Sequence, residues 1–268
     1  MSLPPHSQLL RLLAPFLVGV AVIGLWHFGR DWLPEEKRFL VPAPGEVAAA
    51  FATESAVLAQ AALTTAAGAA IGLGTAVIIG YALALFLAWS ALSRAALYPY
   101  LMVLQMMPVI VFAPILVLVL ETSLLRVGII TFLICFFPLV VNTTQGLLSV
   151  DPLLLDYFRL SRATRLDEFR RLRVPAAQPY FFTGLRIAAT VAPIGAIVGD
   201  YTAGNPAGGV GGLGFQIVIT SSRFQMSQLY ATALTGCALG FVFVATVVAW
   251  QWLALRRWHE SHKRASEN

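Results

Sequence analysis

Five stretches of this chain run on without a single charged side chain: residues 12–29, 55–93, 95–120, 127–150 and 224–255. Each approaches or exceeds the roughly 20 apolar residues that a helix needs to cross a bilayer. The runs are continuous rather than alternating, and far longer than the about 10 residues of a barrel strand, so they are read as helices. Composition agrees: with 58% hydrophobic and 12% charged residues, the chain has too little polar surface to cover a water-soluble core. A sixth span is less obvious, because only 13 residues separate Arg186 from Asp200. Arg186 can snorkel to one interface and Asp200 can sit at the other, which allows a crossing over about 183–202.

The expected fold is therefore all-α, a polytopic helical membrane protein of one domain, 1–268, with spans near 9–27, 60–88, 97–120, 127–147, 183–202 and 229–255. Basic residues orient it. With an inside amino terminus, thirteen of the 18 Lys and Arg residues face the cytoplasm and five, Arg30, Lys37, Arg38, Arg126 and Arg223, face out. Both termini are then cytoplasmic, and the net charge of +5 reflects topology and calls for no nucleic acid. Cleavage of the first span as a signal peptide is the competing reading, but no small-residue cleavage site follows "VGVAVIGLWHFGR".

Within the spans, Gly68, Gly72 and Gly80 mark a helix built for close approach, either inside the bundle or against a second copy. In the third span Pro108 and Pro114 are expected to break the hydrogen-bond ladder beside Gln105, an amide at membrane depth. The fourth span ends in Asn142, Thr143, Thr144 and Gln145, which can bond neighbouring helices or a solute. "YTAGNPAGGVGGLGFQIVITSS" is too rich in glycine for a span and is expected outside or re-entrant. Cys135 and Cys237 lie in spans without metal-ligand spacing and are expected to be packing residues. All four histidines lie outside or at the rim of the spans, and no phosphate-binding Walker loop occurs, so if the chain consumes energy another chain supplies it.

The interruption at 149–182 is the one sizeable loop on the inner side. Its pattern "LLLDYFRLSRATRLDEFRRL" spaces Leu155, Phe158, Ala163, Leu166, Phe169 and Leu172 helically, which fits two short amphipathic helices joined near 161–164. Such helices lie in lipid headgroups or dock in a partner's groove.

"RATRLDEFRRLRVPAAQPYFFTGLRIAAT" resembles the cytoplasmic signature loop of permease subunits of binding-protein-dependent ABC importers, in the branch that takes up nitrate, sulfonates, taurine, bicarbonate, pyrimidine precursors and riboflavin. The likeness rests on Ala163, Arg165, Phe169, Arg170, Arg171, Pro175, Ala176, Ala177, Pro179, Gly184 and Leu185, and extends through "FFPLVVNTTQGLLSVDP" to the late "GGLGF". "GLRIAATVAPIGAIVGDY" is most similar to the pyrimidine and riboflavin members. Two features depart from the pattern: Asp156, Tyr157 and Phe158 replace the opening Glu-Ala-Ala triplet, and Arg162 replaces a glycine whose backbone an arginine resists.

The resemblance implies a non-enzymatic transport subunit of the bacterial inner membrane that binds no cofactor, with ATP and Mg held by a partner ATPase. Its expected partners are ATP-binding cassette ATPases, an extracytoplasmic solute-binding protein, a second copy of the chain and membrane lipid. The coupling surface it implies comprises Phe158, Arg159, Arg162, Ala163, Thr164, Arg165, Leu166, Phe169 and Arg170, with Pro175 and Pro179 as the joint into the fifth span. The expected solute path runs past Gln105, Met106, Pro108, Asn142 and Pro193 to Asp200 and Tyr201 at the outer mouth, for a small heteroaromatic or a sulfonate- or nitrate-type anion. An ATPase-independent secondary transporter or channel is the alternative.

Overall fold

The computed structural model describes residues 5–203 and 211–265, all of whose regular elements are helical. In order they are α1 (Pro5–Gly29), α2 (Pro44–Thr53), α3 (Ser55–Trp89), α4 (Ala91–Gln105), α5 (Ala113–Val119), α6 (Ser123–Leu148), α7 (Pro152–Leu160), α8 (Val174–Ala203), α9 (Leu213–Ser222) and α10 (Met226–Ala265). Among the described residues five stretches are long and apolar enough to cross a membrane: Leu13–Trp32, Ser55–Trp89, Ser123–Leu148, Arg165–Thr202 and Met226–Leu255.

The third span, expected to be broken at Pro108 and Pro114, is broken once. α4 and the segment Val109–Val119 meet at 84°, so this part of the chain is a broken span or a re-entrant loop. The cause is Pro108: it supplies no N–H, its ring crowds the carbonyl four residues back, and it pushes Met107 out of the helical region. Pro108 itself is extended, with ψ 106°. Pro114, expected to be a second break, does the opposite. It stands in the first turn of α5, where a missing N–H costs nothing.

The core is three mutually packed helices centred on α6: α3 and α8 both pack against it, Gly68 and Gly199 at Val127 and Gly72 and Gly195 at Thr131, and they touch each other. α3 buries Ala61, Thr65, Gly68, Gly72, Ala76, Gly80 and Ala84, small residues about one turn apart on one face. α8 answers with Ala188, Ala189, Ala192 and Ala196, all fully buried. Lipid is as apolar as leucine, so spans associate by close packing rather than by hydrophobic expulsion. The glycines of α3 thus serve the bundle interior: a Cβ on Gly72 would lie within 3.0 Å of the Thr131 side chain and the Gly128 carbonyl of α6. Cys135 packs in this core, its thiol 3.4 Å from the Ala188 carbonyl, whereas Cys237 is exposed on α10.

α1 stands apart. Its large apolar side chains from Leu13 to Phe28 are mostly exposed, and it meets the bundle near one end, where Trp26 donates to the Pro42 carbonyl (3.1 Å) and stacks on Tyr230. Of the glycine-rich segment, residues 204–210 lie outside the described residues, and α9 is 10 residues long, too short to cross.

Replacing Gly72 by Val is expected to lower stability by about 1–3 kcal/mol through overpacking. Gly74→Val, which meets nothing within 4 Å, is expected to leave it unchanged or raised. Thermal unfolding of the two purified variants in detergent checks the contrast.

Candidate coupling hairpin and solute path

The hairpin begins at Asp151, whose carboxylate accepts the Leu153 N–H (2.8 Å) and caps α7, with Pro152 in the first turn. α7 ends in a Schellman motif. The Ala163 N–H donates to the Phe158 carbonyl and the Arg162 N–H to the Arg159 carbonyl, both at 3.1 Å, with Arg162 at φ 54°. Arginine thus occupies the left-handed position that favours glycine, at a cost of about 1–2 kcal/mol.

The chain then turns back. Thr164 caps the next helical turn, Arg165–Asp167, through a reciprocal pair in which the Thr164 hydroxyl accepts the Asp167 N–H and the Asp167 carboxylate accepts the Thr164 N–H. In place of a second short helix joined to the span at prolines, the chain continues as a π-helix over Glu168–Arg173 and runs without interruption into α8. Pro175 cannot donate to the Arg171 carbonyl, and a widened turn is one way a helix accommodates that loss. Pro179 sits inside α8 and does not end it.

Two contacts fix this continuous helix to the ends of α3 and α6. Phe169 is buried against Trp89, ring centroids 5.2 Å apart, among Ala84, Ala88, Leu147 and Ala177. The Arg173 guanidinium clasps Glu168, with Nη2 at 2.6 Å and Nε at 2.7 Å from Oε1, and its Nη1 donates to the Leu147 carbonyl in the last turn of α6 (3.2 Å). That carbonyl has no partner within its own helix, so the arginine both caps α6 and favours its negative end.

The far end of α8 is fastened differently. Asp200, 4% exposed, accepts the Thr65 hydroxyl of α3 at 2.5 Å and the Gly214 backbone N–H at the start of α9. Thr65 in turn accepts the Leu213 N–H (2.8 Å). One carboxylate and one hydroxyl thus join α3, α8 and α9, with the negative charge at the favourable N-terminal end of α9.

Residues 76–259 match the family described as the binding-protein-dependent transport system inner membrane component. The chain belongs to that family. It is 31% identical to a Haemophilus influenzae protein named "Probable ABC transporter permease protein" over 84% of this chain and 89% of that one. It is 36% identical to the formylaminopyrimidine transport permease protein ThiX of Halalkalibacterium halodurans over 66% of this chain and 69% of that one. The riboflavin transport system permease protein RibX of Chloroflexus aurantiacus shares 31% over 74% and 72% of the two chains. The protein is a multi-pass permease subunit of an ABC importer, a transport component whose ATPase is a separate subunit.

In this permease the residues expected to couple fall into two groups. Arg159, Arg162, Thr164, Arg165, Leu166 and Arg170 are exposed on the hairpin, and Phe158, Ala163 and Pro175 are half-buried. Phe169 turns inward and anchors the hairpin instead of facing a partner. The path residues are not gathered in one place. Gln105, Met106 and Pro108 lie on the exposed surface at the bend, while Asn142 donates to the Pro138 carbonyl of its own helix (2.8 Å). Pro193 is buried in the bundle, Asp200 is engaged in its three-helix junction, and Tyr201 is exposed. Trp89, Thr65 and the Glu168–Arg173 clasp escaped the sequence reading. Thr65 carried a signal, since it stands in the same helical register as Gly68 and Gly72.

Replacing Arg162 by Gly is expected to raise thermal stability by about 1 kcal/mol as left-handed strain is relieved. Thr65→Val is expected to lower it by about 1.5–3 kcal/mol, because the buried carboxylate and the Leu213 N–H both lose a partner, and Thr65→Ser should retain most of it. Unfolding midpoints of the three variants measure both effects.

Proposed function

We propose that the hairpin 152–173 is the surface through which a partner ATPase, carrying ATP and Mg, moves the spans. The observation that carries this reading is an unpartnered apolar row. Leu153, Tyr157 and Leu160 of α7 lie on one face, at spacings of four and three residues, and are 77%, 66% and 84% exposed. Arg162, Arg165, Arg170 and Arg171 surround this region with exposed positive charge. An apolar helix face rimmed by charge is the form in which a short helix docks in a groove. Because the second arm of the hairpin is one helix with α8, force applied at the tip reaches the span as movement of a body, not through a hinge.

In this reading the hairpin and both termini are cytoplasmic, the solute-binding protein delivers from the opposite side, and a second copy of the chain completes the path. The bend supports the last step: Gln105, Met106, Met107, Ile110 and Val111 are exposed there, an apolar surface with one amide that a second copy can enclose. The solute is a small heteroaromatic. Support comes from the names of the pyrimidine and riboflavin permeases among the relatives.

Co-expression with the cognate ATPase tests the coupling surface. Leu160→Glu is expected to weaken retention of the ATPase at least tenfold while the permease itself elutes as a single folded species. Unchanged retention by the folded variant would remove α7 from the interface.

A further inference from the structure

The hairpin also walls a basic cavity. Between the hairpin and the ends of α3 and α6 lies a cavity of about 360 Å³ lined by Arg94, Arg159, Arg165 and Arg173, with Trp89 and Glu168 among the other walls. Four guanidiniums meet one lining carboxylate there, and that carboxylate is already clasped by Arg173 at 2.6 Å. Arg159 has a solvent-exposed pairing with Asp156 at 3.3 Å, worth little in water. Among the described residues Arg94 and Arg165 have no carboxylate partner. The cavity thus holds more positive charge than its one lining carboxylate balances.

Its place in the fold narrows what the anion is. Trp89 is the last residue of the span Ser55–Trp89 and Leu148 the last of Ser123–Leu148, and both line the cavity. It therefore sits at the ends of two spans, where the charge-free runs 55–93 and 127–150 give way to Arg94 and Asp151. Trp89, 47% exposed, suits that boundary, where tryptophan is enriched. Leu92, at 79% exposure on the same wall, offers apolar contact beside the charges. A water-soluble anion would have no use for that apolar wall.

We infer that this cavity binds the phosphate of an anionic phospholipid, held by Arg94, Arg159 and Arg165, with its acyl chains descending beside Trp89 and Leu92. The inference rests on the membrane placement of the family and not on the coupling role of α7. Basic pockets between spans at the membrane surface are a recurrent form of headgroup site. Bound there, the lipid ties the hairpin to the α3–α4 junction, so that the composition of one leaflet sets how firmly the hairpin is held.

The test uses the full chain purified in detergent, delipidated and titrated with phosphatidylglycerol or phosphatidylcholine. Phosphatidylglycerol is expected to raise the unfolding midpoint and to be retained in native mass spectra, whereas phosphatidylcholine does neither. Arg94→Gln/Arg165→Gln is expected to weaken phosphatidylglycerol binding roughly 30-fold, about fivefold for each guanidinium near the surface. Arg170→Gln/Arg171→Gln, which removes equal charge outside the cavity, is expected to keep it. Equal loss in both double variants would mean unspecific attraction and overturn the site. A matching shift by millimolar inorganic phosphate would assign it to a soluble anion. Loss of ATPase retention by Arg94→Gln/Arg165→Gln with lipid binding intact would assign the charges to the protein partner. Should the double variant fail to fold, exposed Arg165→Gln alone carries the comparison, with about fivefold expected and no change overturning the assignment.

Discussion

Everything in this permease depends on how closely α3 and α8 can approach α6. In a bilayer the spans gain nothing from leaving lipid for one another except contact itself, so helices that must hold together need small residues at the seam. α3 and α8 supply them where both helices reach the same α6 residues, Gly68 and Gly199 at Val127 and Gly72 and Gly195 at Thr131, with alanine along the rest of the seam. The same economy leaves few side-chain hydrogen bonds across the core. The polar fastenings are at its two ends, where the helices meet water or loops.

The end nearest the hairpin is fastened by charge. Arg173 satisfies a carbonyl of α6 while it clasps Glu168, and Phe169 fills the space under Trp89, so the hairpin is joined to α3 and α6 as well as being continuous with α8. A loop attached only by its chain ends would absorb displacement; this one is braced. The Schellman turn at 161–163 contributes to the same stiffness, since its two hydrogen bonds close the first arm even though Arg162 bears a glycine's conformation.

Much of this was legible in the sequence, and the failures have physical reasons. Charge-free runs located the spans because lipid tolerates little else, and Gly68 and Gly72 announced a close contact. The two prolines of the third span could not be told apart by type: Pro108 follows a helix and crowds the carbonyl four residues back, whereas Pro114 falls in a first turn, and only the fold decides which. Phe169 and Phe158 looked equivalent on one amphipathic pattern, but the pattern does not record that the left-handed turn between them reverses the chain. Asp200 was legible as polar at a span end; its partners Thr65 and Gly214 lie far away in sequence and leave no local trace.

The contrast between the two ends of α8 bears on how such a subunit can move. At the hairpin end the helix is held by an ion pair and an aromatic contact; at the other, Asp200 is held by neutral donors from α3 and α9. Between them α8 meets α6 along Ala188, Ala192 and Ala196, with Phe182 and Leu185 of α8 clustered with Phe136 and Leu139 of α6 nearer the hairpin. Held to α3 at both ends, to α6 at the hairpin end and along this packed seam, α8 moves with them as one body when the hairpin is pushed. Under the proposed coupling role, the Asp200–Thr65 junction therefore keeps the far ends of α3 and α8 in step while the hairpin moves, in place of the solute contact expected of Asp200.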